Sequence, residues 1–137
     1  MRILVVILTL LFAAPAAPAA QAQEPSAIPD VIGQQLEAFE ADDYARAFTF
    51  ASPMIKGYFQ TPENFGAMVR EGYPMVHRPD AVTFGTRRAE GSSIYQTVTI
   101  RDAEGRYHAL EYEMIPDGHG GWLIDGVSFI PAPDVAA

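Results

Sequence analysis

Three histidines, His77, His108 and His119, are the side chains best suited to move a proton near neutral pH, because the unperturbed imidazole titrates there. His108 and Glu111 resemble a ligand pair. On a strand, however, residues three apart point to opposite faces, so no shared metal is expected. His119 falls in the turn Asp117-Gly118-His119-Gly120-Gly121 and reads as solvated. His77 follows Tyr73-Pro74-Met75-Val76 in the connector between a helical and an extended region, where Tyr73 and His77 would stand at a pocket rim. Asp125 is the carboxylate of interest. In an apolar pocket, on the same side as His108 and Tyr112, its pKa would rise and it could act as a general base, but beside Gly126 it reads first as a solvated, turn-proximal carboxylate. The weak catalytic set is therefore His77, His108 and Asp125 with Tyr112 in support, and the pocket set is Tyr73, His77 and Tyr112. No G-x-S-x-G, phosphate loop or H-E-x-x-H occurs, and Asp42-Asp43 reads as a helix cap without the spaced oxygen ligands of a calcium loop. No metal and no cofactor is expected.

These residues need elements to hold them. From Asp30 the pattern is helical, with Ile28, Ile32, Leu36 and Phe39 on one side and Gln34, Glu37 and Glu40 on the other. Asp42-Asp43 caps a second helix whose apolar stripe is Tyr44, Ala47, Phe48 and Ala51. Ser52-Pro53 and Thr61-Pro62 each place a hydroxyl cap before a proline at the first helical position. Gly72 stops the later of these helices, and His77-Arg78-Pro79 leads into extended structure. Alternation then takes over. Val82, Phe84 and Thr86 alternate with Thr83, Gly85 and Arg87, and a second strand runs from Ile94 to Ile100. A third strand covers Tyr107–Ile115 and a fourth Trp122–Ile130.

Short turns make these strands an antiparallel meander. On the third, Arg106, His108, Leu110, Tyr112 and Met114 share the face expected against the helices. On the fourth, Leu123, Asp125, Val127 and Phe129 oppose Trp122, Ile124, Gly126 and Ser128. Helices first and strands second define an α+β class, N-terminal helices packed on a curved four-stranded antiparallel sheet.

The segments VIGQQLEAFEADDYARAFTFASPMIK, TPENFGAMVREGYPMVHRP, RDAEGRYHALEYEMI and GGWLIDGVSFIPAP resemble the small exported bacterial proteins grouped as "domain of unknown function 4864". The resemblance runs from about Ile28 to Pro133, and TPENF…GYP…RP is its most specific part. It implies the cystatin-like α+β roll shared by nuclear transport factor two and ketosteroid isomerase, in which helices close one side of a curved sheet over a conical pocket. It implies no activity, because relatives of that roll include isomerases, dehydratases and non-catalytic binding modules.

The chain has 137 residues, 17 acidic against 9 basic side chains, and no cysteine. Arg2, an apolar run from Ile3 to Ala14 and the small-residue ending Ala20-Gln21-Ala22 form the three parts of a signal peptide over 1–22. Cleavage there leaves 115 residues with 8 basic and 17 acidic side chains, a formal charge of −9. That length supports one core, expected over 30–133 after an unstructured lead-in at 23–29. The acidity argues against nucleic acid and anionic lipid, and the missing cysteine excludes disulfides, thiol chemistry and a lipidated N-terminus. The periplasm, or full secretion, is the expected location. The leading functional reading is a non-catalytic module binding a small apolar ligand or a protein partner. Its rivals are a small isomerase- or dehydratase-type enzyme and a self-associating module, such as a homodimer paired through sheet faces.

Overall fold

Helix starts are set by short polar side chains that accept otherwise orphaned backbone N–H groups. In the computed structural model, which describes residues 24–132, three such caps are made. Asp43 accepts from Arg46 N at 3.1 Å, Ser52 Oγ from Ile55 N at 3.3 Å, and Thr61 Oγ1 from Asn64 N at 3.1 Å. They begin α2 (Tyr44–Thr49), α3 (Pro53–Phe59) and α4 (Pro62–Gly72), the last two with proline in the first turn. The expected leader at 1–22 lies outside the described residues. So does the end of the chain from 133.

Two boundaries differ from expectation. The segment read as an unstructured lead-in instead forms a turn of 3-10 helix at Pro25–Ala27, and α1 (Ile28–Glu40) begins two residues before Asp30. Packing explains the difference: Ile28 is fully buried, and the Trp122 indole N–H donates to Glu24 O at 3.0 Å. After Gly72 the chain does not go straight to extended structure. Pro74 opens a further single turn, α5 (Pro74–His77), since proline breaks the preceding helix but suits the start of a new one.

The strands β1 (Ala81–Glu90), β2 (Ser93–Arg101), β3 (Tyr107–Pro116) and β4 (Trp122–Ile130) form one antiparallel sheet in the order β1-β2-β3-β4. Helices pack on one of its faces, giving the α+β class expected. Register fixes the inward rows: Ile94, Met114 and Ile124; Gln96, Tyr112 and Val127; Val98, Leu110 and Phe129. The outward rows are more polar, with Thr97, Glu111 and Ser128 aligned and Arg88 bonded to Glu111 at 2.8 Å.

Two bulges alter the alternation. In β1, Phe84 pairs with Val98 and Arg87 with Gln96, so Gly85 and Thr86 together face Thr97. Arg87 is thereby brought to the inward side, where it donates to Gln96 Oε1 at 3.2 Å. In β4, Glu113 pairs with Gly126 and Met114 with Ile124, which leaves Asp125 as the extra residue. The strict alternation expected for β4 is therefore wrong past this point. Trp122 and Ile124 enter the core before the bulge, and Val127 packs against it afterwards.

On the side away from β3, β4 is an edge of the sheet. The link between α2 and α3 covers it at one place: Ser52 N donates to Ile124 O and Ile124 N to Phe50 O, each at 2.8 Å. Those two bonds bury Ala51 and Ser52 completely and set α3 beside the bulge. On the far side α4 meets α2 through Gly66, where a Cβ would lie 2.6 Å from the Tyr44 ring.

Candidate functional site

The gap between these helices and the end of the sheet is a cavity of about 350 Å3. The helix α1 contributes Gln35 and Phe39, α3 contributes Met54, Ile55 and Tyr58, and α4 contributes Phe65, Met68 and Val69. Tyr73, Val76, Tyr112, Ile124 and Val127 complete the walls, with Asp125 and Gly126 of the bulge at one side. Depth follows from exposure. Tyr112 at 0%, Ile124 at 2% and Gln35 at 3% form the floor, whereas Met54 at 63% and Tyr58 at 80% stand at the mouth. The aromatic rings of the wall pack on one another, with the Phe65 ring centroid 5.7 Å from both Phe39 and Phe59, and Phe48 backs Phe65 at 5.3 Å.

Among the described residues the lining holds no Lys, Arg or His, and Asp125 is its one carboxylate. Three of its polar groups lie on tyrosine or glutamine. Tyr73 Oη donates to Val127 O at 3.2 Å, and its ring stacks on Phe129 at 5.1 Å. Gln35 Nε2 donates to Ala47 O at 3.1 Å, which joins α1 to α2, while its Oε1 accepts no hydrogen bond from a described residue. Tyr112 Oη is fully buried and, among the described residues, is the one buried side-chain polar atom without a partner. Burial, and to a lesser extent the neighbouring Tyr73, holds the Tyr112 phenol well above its ordinary pKa, so it is a neutral hydroxyl at all physiological pH values.

The sequence-expected site residues divide into two groups. Tyr73, Tyr112 and Asp125 line the cavity. Asp125 does so because the bulge turns it to that side, and it makes no hydrogen bond with either tyrosine. His77, expected at the rim, does not line the cavity. It closes a separate cluster in which its Nε2 lies 2.7 Å from Asp42 Oδ1 and 3.3 Å from Tyr44 Oη. Arg78 grips the same carboxylate through Nη2, at 3.1 Å to each oxygen. The His77 bond, then Arg78 and Tyr44, pulls the Asp42 carboxyl down to about 2.

His108 also serves a turn. Its Nε2 lies 2.7 Å from Asp102 Oδ2, while Asp102 Oδ1 accepts from Glu104 N and Arg106 N at 3.0 and 2.9 Å. That histidine bond and the two backbone N–H groups hold Asp102 below the usual carboxylate range. His119 lies in the β3–β4 turn, where Asp117 accepts its backbone N–H. None of the three histidines meets another across a common space, and among the described residues no group of three His, Asp or Glu side chains is placed to hold a metal.

Sequence reading missed Gln35 and the α3 side chains. Gln35 was signalled: it sits three residues after Ile32 on the inward stripe, a polar residue where the period calls for an apolar one. Met54 and Tyr58 carried no such signal, because a seven-residue helix shows too little periodicity to assign its faces.

The fold and cavity thus define a class, a small α+β domain with one apolar chamber between helices and sheet. Residues 21–137 match the pattern of the family described as Domain of unknown function (DUF4864), and the chain belongs to that family. Comparison with the curated proteins found no match, and neither did comparison with solved structures. No helix among the described residues is long and apolar enough to cross a membrane.

Proposed function

We propose that this protein is an exported, non-catalytic binding module that takes a small apolar ligand between its helices and its sheet, in the manner of a cystatin-like roll. The carrying observation is the cavity itself. Its 350 Å3 fall at the small end of the range for small-molecule sites, and its walls are apolar with few polar groups. Burying a mostly apolar molecule there releases roughly 25 cal/mol per Å2 of apolar surface removed from water. The exposed Met54 and Tyr58 at the mouth give such a ligand an adaptable, apolar entrance. Catalysis is the weaker reading, because the histidines are engaged elsewhere and Asp125 has no tyrosine bonded to it to complete an acid–base pair. The leader-like segment supports export to the periplasm.

A neutral, environment-sensitive dye such as N-phenyl-1-naphthylamine tests this reading. Saturable 1:1 enhancement of its emission, lost when Val69→Trp fills the cavity, is the expected result. An unsaturable response, or one indifferent to that substitution, would overturn it.

A further inference from the structure

An apolar chamber selects for size and little else; its polar groups decide what kind of molecule is held. Here those groups lie at the floor. The Tyr112 hydroxyl is buried without a partner, and Gln35, 3% exposed, commits its amide N–H to Ala47 O and leaves its carbonyl oxygen unused. A buried hydroxyl normally finds a partner, because leaving it unpaired is unfavourable. The sheet pairs Tyr112 with Gln96, and there the polar atoms are fully used: Gln96 donates to Gly85 O at 3.0 Å and Thr97 O at 2.9 Å and accepts from Arg87. The same inward row therefore contains one satisfied polar residue away from the cavity and one unsatisfied residue on its wall.

Charge narrows the choice further. With no Lys, Arg or His among the described residues of the lining and Asp125 on it, a carboxylate or phosphate entering the chamber would lose its hydration with no cation from those walls to replace it.

We infer that the cavity holds a neutral amphipathic molecule, an apolar body with one uncharged hydrogen-bonding group such as a hydroxyl, seated so that this group meets Tyr112 Oη at the floor. This rests on the ligand-binding reading above and adds orientation and chemical class to it. Tyr112 Oη is covered by its neighbours, so seating the group requires a wall side chain to step aside.

Three probes of one shape test the inference: 4-butylphenol, butylbenzene and 4-butylbenzoate at pH 7, each measured by displacement of the neutral dye. A chamber without a polar partner favours the hydrocarbon, since the hydroxyl would be desolvated for nothing. The inference predicts the reverse in the native protein, with the phenol bound about tenfold more tightly than butylbenzene and the benzoate at least tenfold more weakly than the phenol. Tyr112→Phe should invert the order of phenol and hydrocarbon. If butylbenzene binds the native protein as well as the phenol does, the polar floor is refuted and the apolar chamber stands. If the benzoate equals the phenol, the neutral class is refuted. If none of the three displaces the dye, the ligand-binding reading itself fails.

Discussion

The Tyr112 hydroxyl makes a prediction about stability that is independent of any ligand. Replacing Tyr112 by Phe removes one oxygen that is fully buried and bonded to nothing. An unsatisfied buried hydroxyl destabilises the native state by about 1–3 kcal/mol, because the unfolded chain keeps its hydrogen bonds to water. The oxygen leaves a small void, which at about 24 cal/mol per Å3 takes back a few tenths of a kcal/mol. Tyr112→Phe should therefore stabilise the ligand-free protein by about 1–2 kcal/mol, which raises the melting temperature by roughly 4–8 °C for a domain of this size. Urea unfolding followed by the emission of the single tryptophan, Trp122, is a suitable assay, with the midpoint rising and the slope unchanged. Ionisation does not confuse the comparison, since burial keeps the phenol neutral. A loss of 1 kcal/mol or more would refute the reasoning, for it would mean that the hydroxyl is hydrogen-bonded in solution.

Three further outcomes are expected. Gly66→Ala drives a methyl to 2.6 Å from the Tyr44 ring, and overpacking of this kind should destabilise by about 1–3 kcal/mol, outweighing the helix preference of alanine and visible as a lower urea midpoint. Asp42, Asp102 and Asp117 all have carboxyls held below their unfolded pKa, so their contributions are present above about pH 4 and lost as pH falls from there towards 2. Asp42→Asn should flatten that acid limb in a pH series of unfolding midpoints, and an unaltered limb would contradict the role given to His77 and Arg78. Deleting residues 24–27 removes the carbonyl that accepts from the Trp122 indole, so the tryptophan emission should shift to the red while the sheet persists by circular dichroism. An unshifted spectrum would show that this contact does not shield the indole.

The order of elements was legible because it rests on local chemistry. Asp43, Ser52 and Thr61 cap the helices as their positions imply, and the strands fall where alternation begins and turns interrupt it. Tyr112 was legible as an inward residue, since Leu110 and Met114 flank it at strand spacing. That its hydroxyl lacks a partner was not, because satisfaction depends on what the helices bring to the other side. Asp125 stood out as a candidate, but the side it faces was not legible: a bulge is a property of pairing between two strands, and the β4 sequence by itself reads as unbroken alternation. His77 and Asp42 stand 35 residues apart, a separation at which no spacing rule operates. Their contact, like that of His108 with Asp102 across a hairpin loop, pairs each histidine with a carboxylate outside the chamber.

A methyl-detected NMR titration with 4-butylphenol bears most directly on the central claim that the chamber between α1, α3, α4 and the sheet is a binding site. The account predicts saturable shifts of the Met54, Ile55, Met68, Val69 and Ile124 methyls, which line the chamber. It predicts none at Thr97 or Thr99, which lie on the opposite face of the sheet. Unsaturable shifts, or shifts concentrated on that outer face with the chamber methyls unmoved, would contradict it.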